Sequence, residues 1–442
     1  MATTYLTKTP SSAGNRKTWT YSAWVKLNST ATMQLFSAGV DSGNYNSLRI
    51  TQTGLRVTNY NSSNTWNLRT NRLLKDLFAW YHIVLRVDTT QSTASDRARL
   101  YINGELQTSL LESTYPAQNQ DEYVNNTNLH AIGTTVPVNS NNFDGLMTHV
   151  HLCDGYSYDA SSFGSTDSTT GEWTINTSPS VSYGTNGFFI LKDGNSVTDQ
   201  SGQSNNYTVA NGTLVDYVDN PDNNFCVLNN RMEIPGSTVY NASSEVSNTN
   251  GTHKTIYGSI PFTSGKYYWE AKAKSGSAVK HTLGISDVRN SYNYRQNSSA
   301  NTLVADSSNS YGRGDAIGYY YSTINKNGSA VASSIHQIAN NDIMMVACDA
   351  DNGKIYFGVN GTWRVANSTT FNASNHDTTF TTGRFYLPAF SNENCGWFTN
   401  FGNGYFGATA ISSAGTNASG IGTFEYDVPT GFTALSTKGL NE

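Results

Sequence analysis

At 442 residues the chain is too long for one compact core and suits two or three domains. Its 27 Tyr, 18 Phe and 8 Trp, set against only 13% charged residues, favour pleated sheets joined by polar loops and exclude an architecture of long amphipathic helices. A net charge of −5 without a Lys/Arg stripe argues against nucleic acid and anionic membrane surfaces, and favours neutral partners such as glycans or proteins.

Met1 to Pro10 lacks the apolar core of a signal peptide, and no uncharged apolar run reaches about 18 residues, so a soluble chain made without secretion and without membrane insertion is expected. Trp19 to Leu27 then alternates as a strand, with Tyr21, Ala23, Val25 and Leu27 on one face. Further strands are predicted at Met33–Ala38, Leu48–Thr53, Gly54–Tyr60, Ala79–Asp88 and Arg99–Asn103. Within the run from Trp80 to Asp88, the face carrying Tyr81, Ile83, Leu85 and Val87 opposes that of His82, Val84 and Arg86, and His82 reads as structural. Ala98–Ser109 (ARLYINGELQTS) runs through Asn103-Gly104, a dipeptide suited to positive φ at both centres of a type I′ hairpin turn. The same design recurs at Lys354–Val365 (KIYFGVNGTWRV), which implies a second β-rich domain.

The first set of motifs, Trp80-Tyr81-His82-Ile83-Val84, LYINGEL and Phe143-Asp144-Gly145-Leu146 before MTHVHLCDG, resembles a laminin-G-type concanavalin A-like domain over residues 1–158. That resemblance implies a jelly-roll of two antiparallel sheets, a fold used by many carbohydrate-binding proteins. Residues 159–255 form a Gly/Asn/Ser-rich connector, partly folded, whose SSFGSTDSTTGEW, YGTNGFFILKD and DQSGQSNNYTV segments resemble structural proteins of tailed, marine-type bacteriophages. Over residues 256–408, Lys266-Tyr267-Tyr268-Trp269-Glu270-Ala271, Leu283-Gly284-Ile285-Ser286, Asp342 to Asp349, KIYFGVNG and Tyr386-Leu387-Pro388-Ala389-Phe390 resemble a SPRY domain, a bent sandwich that serves as an interaction platform. The aromatic run Tyr319-Tyr320-Tyr321 departs from that family's usual pattern. Residues 409–442 read as a docking tail with apolar anchors, and its GIGTFEYDVPTGFTALSTKGLN ending again resembles SPRY-bearing phage virion proteins. The fold expectation is therefore all-β, two antiparallel jelly-roll sandwiches joined by the connector.

Catalytic chemistry finds little support. A glycoside hydrolase on such a sandwich needs paired carboxylates, usually in an E-x-D-x-x-E pattern. Here Asp121-Glu122 lies in a polar segment, Glu105 beside a hairpin, and Glu172 and Glu270 stand alone. No nucleophile elbow, Walker loop or His-Glu-x-x-His occurs. Cys153, Cys226, Cys348 and Cys395 are widely spaced without metal-ligand patterns and read as buried free thiols. The Asn-X-Ser/Thr matches, such as Asn28, Asn61 and Asn367, follow from composition and do not signal glycosylation. No cofactor is expected; Asp41, Asn44 and Asn46 carry calcium-type oxygen donors, but the preferred reading of them is an ordinary polar turn.

Sugar recognition instead needs aromatic faces beside hydrogen-bonding groups. Tyr45, Tyr60 and Trp66 are candidates in the first domain, with Trp66 either exposed or closing a core edge beside Leu68. In the second domain Tyr292, Tyr294, Arg295, Tyr311 and Arg313 combine aromatic and guanidinium groups in loops. The combined expectation is a non-catalytic virion surface component of a tailed phage, a fibre, knob or decoration protein assembled in the host cytoplasm. It would form a homo-oligomer and contact other virion proteins and a host-surface glycan or protein. A polysaccharide depolymerase and a bacterial surface adhesin are the alternatives.

Overall fold

The computed structural model describes residues 4–192, 194, 196–230, 237–240, 243–249, 254–276, 280–290, 315–365 and 367–441. Tyr292, Tyr294, Arg295, Tyr311 and Arg313 lie outside the described residues. Chain contacts divide the molecule into two units, Met1–Asp216 with Asn220–Asp222, and Tyr217–Asp219 with Asn223–Glu442. The stretch expected as a connector is thus shared between the two, its earlier part built into the first unit and its later part into the second.

In the first unit the strands are β1 (Tyr5–Lys8), β2 (Thr18–Leu27), β3 (Met33–Asp41), β4 (Asn44–Thr51), β5 (Gly54–Asn61), β6 (Asn64–Thr70), β7 (Trp80–Asp88), β8 (Ala98–Ile102), β9 (Glu105–Leu106) and β10 (Leu110–Thr114). They continue with β11 (Leu129–Ile132), β12 (Gly145–Asp154), β13 (Gly164–Thr166), β14 (Trp173–Ile175), β15 (Phe188–Ile190) and β16 (Thr208–Asn211). The described residues form an eight-stranded sheet in the order β10-β6-β5-β4-β3-β11-β1-β16 and a six-stranded sheet in the order β15-β12-β2-β7-β8-β9. All pairings within them are antiparallel, and the apolar faces that the two sheets turn toward each other form the core between them. Tyr21, Ala23, Val25 and Leu27 of β2 meet Phe36, Leu48, Ile50, Leu55, Val57, Trp66 and Leu68 in that core.

The hairpin after β8 has the backbone its sequence demands: Asn103 sits at φ 49° and Gly104 at φ 77°. Its counterpart in the second unit matches, with Asn360 at φ 48° and Gly361 at φ 83°.

The six-stranded sheet has a second covered face. Val84, Tyr101 and Cys153 on its outer side pack against Ala160, Phe163, Tyr158, Trp173 and Tyr183 from the segment that follows β12. Arg86 secures this cover through Ser157 Oγ at 2.5 Å and Asp159 at 3.0 Å. The Gly- and Ser-rich text after residue 158 therefore encloses the sheet that precedes it.

The second unit is also a sandwich. Its described residues form a nine-stranded sheet built around Lys266–Lys274, Ile343–Asp349, Lys354–Val359 and Gly396–Asn400, and a six-stranded sheet around Lys280–Asp287, Ala316–Tyr320 and Tyr386–Glu393. Between them lie Trp269, Leu283, Ile317, Tyr319, Val346, Phe357, Tyr386 and Trp397. The outer face of the larger sheet, including Tyr268, Met345, Tyr356 and Trp363, is covered by Phe424, Val428, Phe432 and Ala434. Thr433–Ala434 also pairs in parallel with Tyr267 and Tyr268.

All four cysteines are free and buried, and burial raises the thiol pKa of Cys153 and Cys348 and brings that of Cys395 to about 11. No helix among the described residues is long and apolar enough to cross a membrane.

Candidate functional site

With one outer face of the first sandwich enclosed, the other is the place to look for recognition. On β4, the alternation that sends Asn46, Leu48 and Ile50 inward turns Tyr45, Ser47, Arg49 and Thr51 outward. Register then aligns three cross-strand rows on that outer face. Tyr45 opposes Tyr60; Ser47, Thr58 and Asn67 stand side by side; Arg49, Arg56 and Arg69 do the same and meet Glu112 on β10.

Tyr45 and Tyr60 stack with ring centroids 5.4 Å apart and planes at 25°. This geometry needs Gly39 on β3, since a Cβ there would lie 2.6 Å from Tyr45 Cβ. On the β3 side the face is bordered by residues 134–136. Ser37 Oγ donates to the Thr134 carbonyl at 2.8 Å, and Thr135 Oγ1 donates to Gln34 Oε1 at 3.0 Å. Ser47 Oγ donates to the same Gln34 oxygen at 2.9 Å. On the other side Glu112 lies 3.0 Å from Arg56 Nε and 2.7 Å from an Arg69 terminal nitrogen.

Several polar atoms on this face are unused. Thr58 is only 2% exposed, and its Oγ1 has no partner among the described residues. The same holds for Asn67 Oδ1 and the Nε atoms of Arg49 and Arg69. Arg56 Nε and Glu112 Oε2 form an ion pair whose alignment does not make a hydrogen bond. Unused buried donors and acceptors cost stability, so a cluster of them marks a surface that gains by acquiring a polar ligand.

Trp66 does not belong to this surface. It is fully buried on the core face of β6, and its indole N–H donates to Glu122 Oε1 at 2.9 Å. Asn46 and Asn59 both donate to Glu122 Oε2 at 2.6 Å. Of the two readings open for Trp66, the core-edge one is correct, and the stacking role falls. Burial raises the Glu122 pKa, while its three donors favour the charged form. This carboxyl organises the core instead of facing solvent.

The oxygens read as calcium-type donors are taken by protein groups. Asp41 Oδ1 accepts from Gly43 N and Asn44 Nδ2, Asn44 Oδ1 from the Tyr123 hydroxyl, and Asn46 Oδ1 from the Tyr123 amide. Among the described residues no group of three or more His, Cys, Asp or Glu side chains could hold a metal.

His82 is enclosed under the cover of the six-stranded sheet. The Trp173 indole, which can only donate, gives its proton to His82 Nδ1 at 3.0 Å. Nε2 therefore carries the imidazole proton and donates to Ser22 Oγ at 2.9 Å. Burial lowers the His82 pKa to about 3, and the ring stacks on Trp24. This is a structural role.

Glu270 in the second unit is the counterpart of Glu122. It accepts from the Tyr268 hydroxyl at 2.9 Å, the Asn400 amide at 3.3 Å, and the backbone amides of Glu425 at 2.9 Å and Tyr426 at 2.8 Å. Burial pushes its pKa up to about 7 against those four donors.

Reading single residues missed Arg49, Arg56 and Glu112. The available signal was strand alternation, which sends both arginines outward; what aligned them was the pairing of β4, β5, β6 and β10.

The first unit is thus a lectin-like sandwich with one enclosed and one polar, aromatic outer face. Residues 2–157 match the family model Laminin_G_3, described as the Concanavalin A-like lectin/glucanases superfamily. No curated protein matches the chain. Among solved structures, the SPRY domain of human HERC1 is similar at 16% identity, covering 39% of this chain and 96% of that one, with a TM-score of 0.28. Domain 4 of AbnA, a GH43 extracellular arabinanase from Geobacillus stearothermophilus solved with arabinotriose, is 19% identical over 33% of this chain and 64% of that one, with a TM-score of 0.26. The CBM40 of Ruminococcus gnavus IT-sialidase, solved with α2,3 sialyllactose, is 18% identical over 31% of this chain and 86% of that one, with a TM-score of 0.24.

Proposed function

We propose that the protein is a non-catalytic binding protein whose first sandwich holds a glycan on the outer face of β4, β5 and β6. The observation that carries this reading is the Tyr45–Tyr60 stack standing one row from Ser47, Thr58 and Asn67, a pairing of aromatic surface with hydrogen-bonding groups. A protein ligand is the second occupant of the same face, and a glycan is favoured because hydrogen-bonding side chains outnumber aromatic ones across these rows. We further propose that the chain serves as a surface component of a tailed-phage virion, a fibre, knob or decoration protein. Support for that role comes from the phage-like text at residues 161–209 and 420–441. In that setting it would pack against other virion proteins and act as a homo-oligomer, so that many weak sites engage the host surface together. The net charge of −5 supports partners other than nucleic acid.

A glycan array probed with the full chain and with Tyr45→Ala and Tyr60→Ala variants tests the binding role. Loss of captured glycan in both variants supports it, and capture unchanged in both would discard this face. Immunogold labelling of intact particles tests the virion role, and particles without label would refute it.

A further inference from the structure

Three arginines on adjacent strands, side by side and facing outward, are an unfavourable arrangement on their own. Neighbouring strands lie about 4.8 Å apart, and like charges directly opposite one another repel. Arg49, Arg56 and Arg69 stand in such a row with one carboxylate, Glu112, which serves Arg56 and Arg69. Arg49 has no ion-pair partner among the described residues, and burial together with the adjoining Arg56 lowers its pKa. The row carries three positive charges against one negative charge, in a chain whose net charge is −5.

The local surplus lies four residues along β4 from Tyr45, about 13 Å at the rise of a strand. Between the arginine and tyrosine rows are Thr58 Oγ1 and Asn67 Oδ1, both buried and without partners among the described residues. A guanidinium supplies a planar fork of donors that matches an oxyanion, while the unused acceptors match sugar hydroxyls and the tyrosines match a sugar C–H face. The span exceeds a single sugar ring.

We infer that the face of β4, β5 and β6 selects an oligosaccharide carrying an oxyanion, a carboxylate or a sulfate, whose negative group sits on Arg49 and the Arg56–Arg69 pair while another ring packs on Tyr45 and Tyr60. This rests on the glycan-binding reading above and adds the charge of the ligand.

The test uses the full chain on an array holding neutral, uronate-bearing, sialylated and sulfated glycans, read at low and at 0.5 M salt. Anionic glycans are expected to bind at least 10-fold more tightly than neutral ones, with the advantage shrinking at high salt. Arg49→Gln is expected to weaken anionic binding about 10- to 100-fold, the loss of a charge-assisted hydrogen bond. Arg49→Lys should retain part of the affinity, and Arg72→Gln, whose native partner is Glu105, should match the unmodified chain. Thermal denaturation of each variant verifies folding, and the salt dependence of the unmodified chain tests the inference without any substitution. Carboxylated and sulfated sets distinguish the two oxyanions. Neutral glycans bound as tightly as anionic ones, or anionic binding untouched in a folded Arg49→Gln chain, would overturn this inference and leave the glycan-binding reading standing. No glycan bound in any class would overturn both.

Discussion

The indole of Trp66 and the carboxyl of Glu122 are joined by a 2.9 Å hydrogen bond inside the first sandwich, across 56 residues of sequence. The bond ties β6 to the segment before β11, and Asn46 and Asn59 bring β4 and β5 to the same carboxyl. Trp66→Ala should therefore destabilise the first unit by about 3–5 kcal/mol, through both the cavity and the lost donor. Glu122→Gln, which replaces an acceptor with a donor facing other donors, should cost about 1–3 kcal/mol. Denaturant midpoints followed by tryptophan fluorescence measure both, and a near-native midpoint for Trp66→Ala would show that the indole is not a core element.

Gly39 makes room for the tyrosine stack. A Cβ there falls 2.6 Å from Tyr45 Cβ and 3.0 Å from the Asn44 carbonyl, so Gly39→Ala must displace Tyr45 from Tyr60. The expected outcome is a stability loss of about 1–3 kcal/mol, the usual cost of overpacking. Glycan capture should fall alongside it. Retained stability with native capture would mean that the stack tolerates a shifted β3.

The pH response of the first unit contains a histidine signature. His82 has its pKa lowered to about 3 and His130 to about 4, against 6.5 for free imidazole, so the unfolded chain binds more protons between these limits. Their contribution is fully present above pH 6.5 and is lost as pH falls toward 4 and below. Glu122 and Asp154, both raised by burial, act in the opposite sense, so the informative quantity is a difference between chains. His82→Gln, which can still accept from Trp173 and donate to Ser22, should flatten the stability-versus-pH slope by up to about 1.4 kcal/mol per pH unit between pH 4 and 6. Matching slopes would mean that His82 already takes up its proton in the folded state.

Glu270 reverses the sign. Its folded pKa of about 7 exceeds the free value of 4.5, so its contribution is fully present below pH 4.5 and is lost as pH rises through 7. Protection of the Glu425 and Tyr426 amides against hydrogen exchange, corrected for intrinsic rates, should decline from pH 5 to 8 in the native chain. It should stay level in Glu270→Gln, from a lower starting value. Equal protection profiles would refute the link between this carboxyl and the docked segment.

How much of this was legible in the sequence depended on whether a feature needed pairing to be seen. Both Asn-Gly turns and the alternation of β2 and β7 are local, and the structure has them where the residues indicate. In β6 the alternation of Trp66 and Leu68 with Asn67 and Arg69 is equally local, but the polar text before it left exposure open as a reading for Trp66. Glu122 read as part of a polar segment and Glu270 as isolated because their donors come from residues up to 76 and 156 positions away. The arginine row was hidden for the same reason, since β4, β5, β6 and β10 must pair before the three guanidinium groups become neighbours.

The docking of Phe424, Val428 and Phe432 over the strand that carries Glu270 also sets a timetable. Glu270 and its amide partner at Glu425 are separated by 155 residues. At a synthesis rate of about 5–20 residues per second, roughly eight to thirty seconds pass before the second partner exists. Late in that interval the nascent second unit holds a carboxyl and an apolar sheet face, with Tyr268, Met345 and Tyr356, that residues 424–434 do not yet cover. Crowded assembly therefore begins with a surface that needs shielding, and residues 424–434 are the chain's own means of withdrawing it.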